Sequence, residues 1–140
     1  MQTSFAIQTR GPGLTEFTSD VARWLSGSGD GALVLMVRHT SASLLIQENA
    51  DPDVQTDLLA WLERIAPSAD DPSMSYLRHR AEGPDDMPAH LKAAVLPTTL
   101  HIPVAAGRMQ LGTWQGIFLV EHRARPHTRE VAAQFLPQTV

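Results

Sequence analysis

The segment at 32–37, Ala-Leu-Val-Leu-Met-Val, constrains this chain more than any other. It is a continuous apolar run rich in Val and Leu, and it reads as an interior strand buried on both faces. Such a strand needs paired neighbours along its edges and covering layers on its faces, so the flanking segments have to supply both. Further strands are expected at 3–10, 44–46, 98–104, 109–111, 114–123 and 130–136, with a turn at 105–108. The segment 11–13 breaks the chain after the first of these.

Three stretches carry helical spacing. Phe17, Val21, Trp24 and Leu25 fall on one helix face, and GSGDG at 27–31 ends that helix. The glycine-rich turn looks like a phosphate cradle, but it follows a helix and precedes a strand, the reverse of a dinucleotide fingerprint. Val54, Leu58, Leu62 and Ile65 form a second face, with Asp51 or Asp53 as cap and Pro52 in the first turn. A third helix starts at the acids 85–86, carries Pro88 near its first position and runs to about Leu96, where Pro97 stops it. Residues 67–80 read as a loop with at most a short strand at 75–77. This order gives an α+β fold, 1–140 as one domain: mainly antiparallel, sandwich-like sheets with about three helices packed on them. Exposed strand edges in so small a domain favour a homo-oligomer.

The totals exclude several function classes. With no cysteine there is no disulfide, thiolate nucleophile, iron–sulfur cluster or cysteine-held zinc, so any metal is held by nitrogen and oxygen. A formal net charge of −4 argues against nucleic acid as partner, and no apolar stretch approaches a membrane span of ~18 residues. The amino terminus has no secretory pattern, so a cytoplasmic protein without membrane partners is expected. No nucleophile elbow, Walker loop or His-Glu-x-x-His helix occurs.

Polar residues placed in apolar surroundings are the candidates for chemistry. His39 emerges at the end of the most buried strand, either as a metal ligand, a proton carrier or a core histidine satisfied by a backbone carbonyl. Thr40, Ser41 and Ser43 bring hydroxyls that bind a phosphate or cap the turn. Glu48, Asn49 and Asp51 stand at a strand-to-helix junction, where acids either ligate a cation, take a proton or answer the helix dipole. Asp86 and His90 are four apart on one helical face, an acid–imidazole couple or a shared cation site. Gly112-Thr-Trp-Gln-Gly116 opens an otherwise apolar strand, through close approach of a ligand or neighbour or through a bulge. Farther along, Glu121 and Arg123 share one strand face, and Arg123, Arg125 and Arg129 with His122 and His127 form the basic concentration of an acidic chain.

Taken together, HTSASLLIQENADPDV from His39, DDMPAHLK from Asp85, and Gly107-Arg followed by LGTWQGIFLVEHR closely resemble the YjbQ family, in order and through nearly the whole chain. The resemblance implies a small α+β fold, a homotrimer with pockets near subunit boundaries, and a secondary thiamine-phosphate synthase activity. That activity joins a pyrimidine diphosphate and a thiazole phosphate with release of pyrophosphate. Carried over by position, the resemblance implies catalytic roles for His39, Glu48, Asp86, His90 and Glu121. It implies substrate contacts from Thr40, Ser41, Asn49, Asp51, Thr113, Trp114, Gln115, Arg123 and Arg129. On this reading the leaving pyrophosphate meets Arg123 and a divalent metal ion, magnesium or zinc, with His39 and His90 as ligands or proton carriers and Trp114 as a flat wall for a ring. The tail at 125–129, Arg-Pro-His-Thr-Arg, departs from the glycine-rich turn of the best-known members, which weakens anion roles for Arg125 and His127. Two other readings compete: metal-assisted hydrolysis of a phosphorylated metabolite by His39, His90 and Glu48 or Glu121, and a non-catalytic oligomer that binds an anion or metabolite.

Overall fold

The computed structural model describes residues 1–139. Strands β1 (Gln2–Gln8), β2 (Gly13–Glu16), β3 (Gly31–Val37), β4 (Ala42–Glu48), β5 (Thr99–Ala105), β6 (Arg108–Met109), β7 (Gln115–Glu121) and β8 (Thr128–Pro137) surround helices α1 (Thr18–Leu25), α2 (Pro52–Ile65) and α3 (Asp86–Val95). They form a five-stranded sheet in the order β1-β8-β3-β5-β6 and a three-stranded sheet in the order β2-β7-β4. Every pairing is antiparallel. The fold is therefore α+β, with three helices on two sheets.

The apolar run at 32–37 became β3, which lies between β8 and β5 inside the larger sheet, but only its Leu33, Leu35 and Val37 face is buried; Met36 on the other is 50% exposed, which corrects the expectation of burial on both faces. Leu33, Leu35 and Val37 join Ile117 and Leu119 of β7, Leu44 of β4, Phe17, and Val21 and Leu25 of α1 in one core between the sheets. Successive strand residues point to opposite faces, so Phe118 and Val120 of β7, both buried, face away from Ile117 and Leu119. On that side α2 meets β2 and α3 meets β4. The smaller sheet is thus covered on both faces, which explains why β7 is apolar from Ile117 to Val120.

Local signals account for the helix ends. Asp51 caps α2, its carboxylate accepting the Asp53 N–H at 2.9 Å, with Pro52 at the first position. Helix α1 begins at Thr18, with Phe17 as its uncapped N-terminal flank, and α3 begins at Asp86, so Pro88 is its third residue. Two more expectations need correction. The segment 13–16 continues past the break as strand β2, registered on β7 from Gly13 opposite Glu121 to Glu16 opposite Phe118; four residues are too few to show a period. No strand forms at 75–77; the loop is a one-turn 3₁₀ helix at Pro72–Met74, and the Arg80 guanidinium gathers the carbonyls of Ala69, Met74 and Leu77. Among the described residues no helix is long and apolar enough to cross a membrane.

Candidate functional site

The register of β4 on β7 decides how the expected residues are distributed. Ala42 lies opposite Glu121 and Glu48 opposite Gln115, so the two ends of this hairpin-like pair are roughly 20 Å apart at ordinary strand rise. His39, Thr40, Ser41, Asp86, His90, Glu121, Arg123 and Arg129 gather at one end. Glu48, Asn49, Asp51, Thr113, Trp114 and Gln115 lie at the other.

At the first end, the centre is Asp86 at the start of α3, buried to 2% exposure. Its Oδ2 lies 2.6 Å from His79 Nε2 and 3.2 Å from His90 Nε2, and its Oδ1 lies 2.8 Å from Arg123 Nη1. Burial pushes the Asp86 pKa up, but the hydrogen bond from His79 and the charges of His90 and Arg123 outweigh it and hold the carboxyl below its ordinary value. His90 Nδ1 is 2.9 Å from the Thr40 carbonyl. A carbonyl oxygen only accepts, so Nδ1 carries a proton and Nε2 is the atom turned to Asp86, donating to the carboxylate in the charged ring and free to ligate a cation once that proton leaves. Backbone-anchored imidazole of this kind is how metal-ligating histidines are oriented. The ligand atoms of His79, Asp86 and His90 all lie within 4.8 Å of one another, and the two rings are tilted with centroids 5.6 Å apart. Two nitrogens and one carboxylate suit zinc or a similar transition ion better than magnesium, which prefers an all-oxygen shell.

His39 sits beside this centre in a different state. Its Nδ1 accepts the Ser41 backbone N–H at 3.1 Å and meets the Ser41 hydroxyl at 3.0 Å. A backbone N–H only donates, so Nδ1 is unprotonated and Nε2 carries the hydrogen, which offers a donor and no lone pair. Ser41 in turn receives Arg129 Nη2 at 3.0 Å, and Arg129 closes on Glu121 with Nε at 2.8 Å and Nη2 at 2.6 Å. Burial first, then Arg129, lowers the His39 pKa, so the ring is neutral at pH 7. The histidine pair expected to hold a cation is therefore divided: His90 turns Nε2 toward the cluster, and the second imidazole there is His79.

The two arginines expected at an anion are occupied. Arg123 binds Asp85 at 2.9 Å, Asp86 and the Glu82 carbonyl, while Arg129 is 3% exposed against Glu121. Glu121, 1% exposed, also accepts Thr9 Oγ1 at 2.7 Å and the N–H groups of His122 and Arg123. Sequence reasoning passed over His79 because it lies in an aperiodic loop, seven residues before Asp86, where no helical or strand spacing links them.

At the far end the polar groups serve the backbone. Glu48 Oε2 accepts the Asp51 N–H at 2.8 Å, the Asn49 N–H donates to the Trp114 carbonyl at 2.9 Å, and Gln115 Oε1 accepts the Gly112 N–H at 2.7 Å. Gly116 has no side chain because the Glu16 carboxylate and the Asn49 amide occupy the space a Cβ needs. Within this fixed turn Trp114 projects with 62% exposure, and Thr113 is exposed beside it.

Comparison with known proteins agrees with these observations. Residues 3–138 match the family described as UPF0047 protein YjbQ-like. The chain is 50% identical over 132 residues to the UPF0047 protein sll1880 of Synechocystis sp., covering 93% of this chain and 87% of that protein. It is 39% identical over 135 residues to the UPF0047 protein YjbQ of Salmonella typhimurium, covering 94% of each. The crystal structure of the conserved hypothetical protein TT1486 from Thermus thermophilus superposes with a TM-score of 0.83 at 34% identity, over 96% of this chain and 99% of that one. Sequence, architecture and the order of the motifs thus place the chain in the YjbQ-like UPF0047 family.

Proposed function

We propose that this chain is an enzyme acting on a phosphorylated small molecule, with a divalent cation held by His79, Asp86 and His90. The reaction proposed is the joining of a pyrimidine diphosphate to a thiazole phosphate with loss of pyrophosphate. The single observation that supports it most is Asp86, buried and ionised between two imidazole Nε2 atoms, one of them fixed by the Thr40 carbonyl. A cation there would act as a Lewis acid on a phosphate oxygen. The chain's own part follows from the hydrogen bonds. His39, its Nδ1 engaged by Ser41, presents Nε2–H as a neutral donor to an oxygen on which charge develops. Arg123 holds Asp85 and Asp86 in place, and Arg129 acts through Ser41 by fixing the His39 tautomer. Trp114, exposed at the far end, is proposed as a ring-stacking wall that a second copy of the chain brings to this centre in a trimer.

The test combines metal content with turnover. Untagged protein, dialysed and then given zinc, should bind about one equivalent with proton release, since His90 and His79 must be unprotonated to ligate. His79→Ala and His90→Ala should each lose that metal and the release of pyrophosphate from the two precursors. Folded variants that retain wild-type turnover would remove the proposal. Hydrolysis of simple phosphate esters without ligation of the precursors would favour the hydrolase reading.

A further inference from the structure

A second group of buried polar atoms lies outside this centre, between α2, α3 and the end of β7. It lines a cavity of about 260 Å³ whose walls include Leu59, Leu62, Glu63, Lys92 and His122. A smaller recess of about 150 Å³ shares Glu63, Lys92 and His122 with it. Lys92 is 7% exposed and His122 is 4% exposed. A lysine so deeply placed needs a counter-charge. It has Glu63, with Nζ to Oε2 at 2.9 Å, but the Glu63 side chain is 62% exposed, so an anion that takes its place on the ammonium displaces it into solvent.

His122 adds a second donor. Its Nε2 lies 2.8 Å from Ser43 Oγ, and Ser43 is fully buried with no other hydroxyl partner among the described residues. If Nε2 held the hydrogen, the Ser43 hydroxyl would be a buried donor without an acceptor, so Ser43 donates and the proton sits on Nδ1. Burial first, then Lys92, pushes the His122 pKa down to about 4, so the ring stays neutral in this form at physiological pH. Nδ1 has no hydrogen-bond partner among the described residues, and His122 lines both recesses. The other acids nearby are neutralised within the fold: Glu121 by Arg129 and Asp85 by Arg123. Two donors, one charged, therefore meet in a small space with leucine walls.

We propose that this cavity binds a small oxyanion, a carboxylate or phosphate group, through Lys92 Nζ and His122 Nδ1–H, with Glu63 as the swinging carboxylate that covers the ammonium when the site is empty. At about 260 Å³ the larger recess is small beside ordinary ligand pockets and suits a phosphate or a short-chain acid. The site is separate from the His79–Asp86–His90 centre and does not depend on its assignment.

Titration of the full-length, 15N-labelled chain with sodium butyrate and, separately, with inorganic phosphate tests this, read at the imidazole nitrogens. The expected result is a saturable shift of His122 Nδ1 with at least one of the two anions. Glu63→Gln, which removes the competing carboxylate, should bind the same anion several-fold more tightly. Lys92→Met, which keeps the volume and removes the charge, should weaken it about tenfold or more. Binding seen only at His79 and His90 would place the anion at the other centre and overturn the proposal. So would a His122 that fails to respond in either the wild type or Glu63→Gln, or a Lys92→Met variant of unchanged affinity.

Discussion

Replacing Arg129 by Met puts the buried end of β7 to a quantitative test. Its guanidinium makes two hydrogen bonds to Glu121, at 2.8 and 2.6 Å, with both side chains at most 2% exposed. Met keeps the aliphatic volume and removes the cation, so the change leaves a carboxylate in the core with Thr9 Oγ1 and the N–H groups of His122 and Arg123 as its donors and His127 Nδ1 at 3.6 Å. Breaking a buried pair in this way costs about 3–5 kcal/mol, a large share of the roughly 5–15 kcal/mol that holds a domain together. The loss should depend on pH with a definite sign. In the wild type, burial raises the Glu121 pKa, but the bonds from Arg129, Thr9 and the Arg123 N–H prevail and hold it below its ordinary value. Its contribution is therefore present above the unfolded carboxyl pKa and disappears as pH falls through the lower folded one. Without Arg129 the neutral carboxyl becomes the favoured form, so the deficit should be greatest near pH 7.5 and shrink toward pH 4.5. Urea unfolding followed by tryptophan fluorescence at both pH values measures this directly. The double variant Glu121→Gln, Arg129→Met should be more stable at pH 7.5 than Arg129→Met alone, because the orphaned charge is gone. A deficit below about 1 kcal/mol, or one that does not change with pH, would refute the account of Glu121 as a charge kept ionised by Arg129.

Two further changes follow from single positions. With His122 at about 4 in the fold and near the ordinary histidine value when unfolded, the unfolded chain takes up the proton first; acidification from pH 6.5 to 4 should therefore cost roughly 3 kcal/mol, and His122→Asn should flatten the urea-midpoint profile in that window. An equally steep profile in the variant would assign the slope to other groups. The β5–β6 connection has Ala106 at φ 51° followed by Gly107 at φ 74°, both positive as in a type I′ turn. Ala106→Asn supplies the residue that turn favours and should stabilise by about 0.5–1 kcal/mol, a rise of roughly 2–4 °C in the melting temperature; an unchanged or lower value would show that the strain is relieved elsewhere.

Short-range rules made much of the chain readable before any coordinates. Asp51 and Pro52 announce the start of α2, 3.6-residue spacing marks its face, and the run at 32–37 is an inner strand, because these are choices a residue makes with neighbours a turn or less away. The order of the motifs was enough for the family. The partition of the candidate residues was half legible: the segment from His39 to Asp51 contains a whole strand, and an extended strand separates its own ends, so these residues were never able to share one cleft within a single chain.

What only the tertiary structure decided is which polar group faces which. Thr9 reaches Glu121 across 112 positions, Arg129 reaches Ser41 across 88, and His90 reaches the Thr40 carbonyl across 50. Those contacts place a proton on Nδ1 of His90 and keep Nδ1 of His39 free of one, although both are the same residue. No spacing rule carries that information, because hydrogen-bond partners are fixed by sheet register and helix packing, and these arise from burial summed over the whole core. The sequence determined the parts and their order along the chain; the fold determined their charge states, since a proton's position depends on neighbours that meet only after the core has closed.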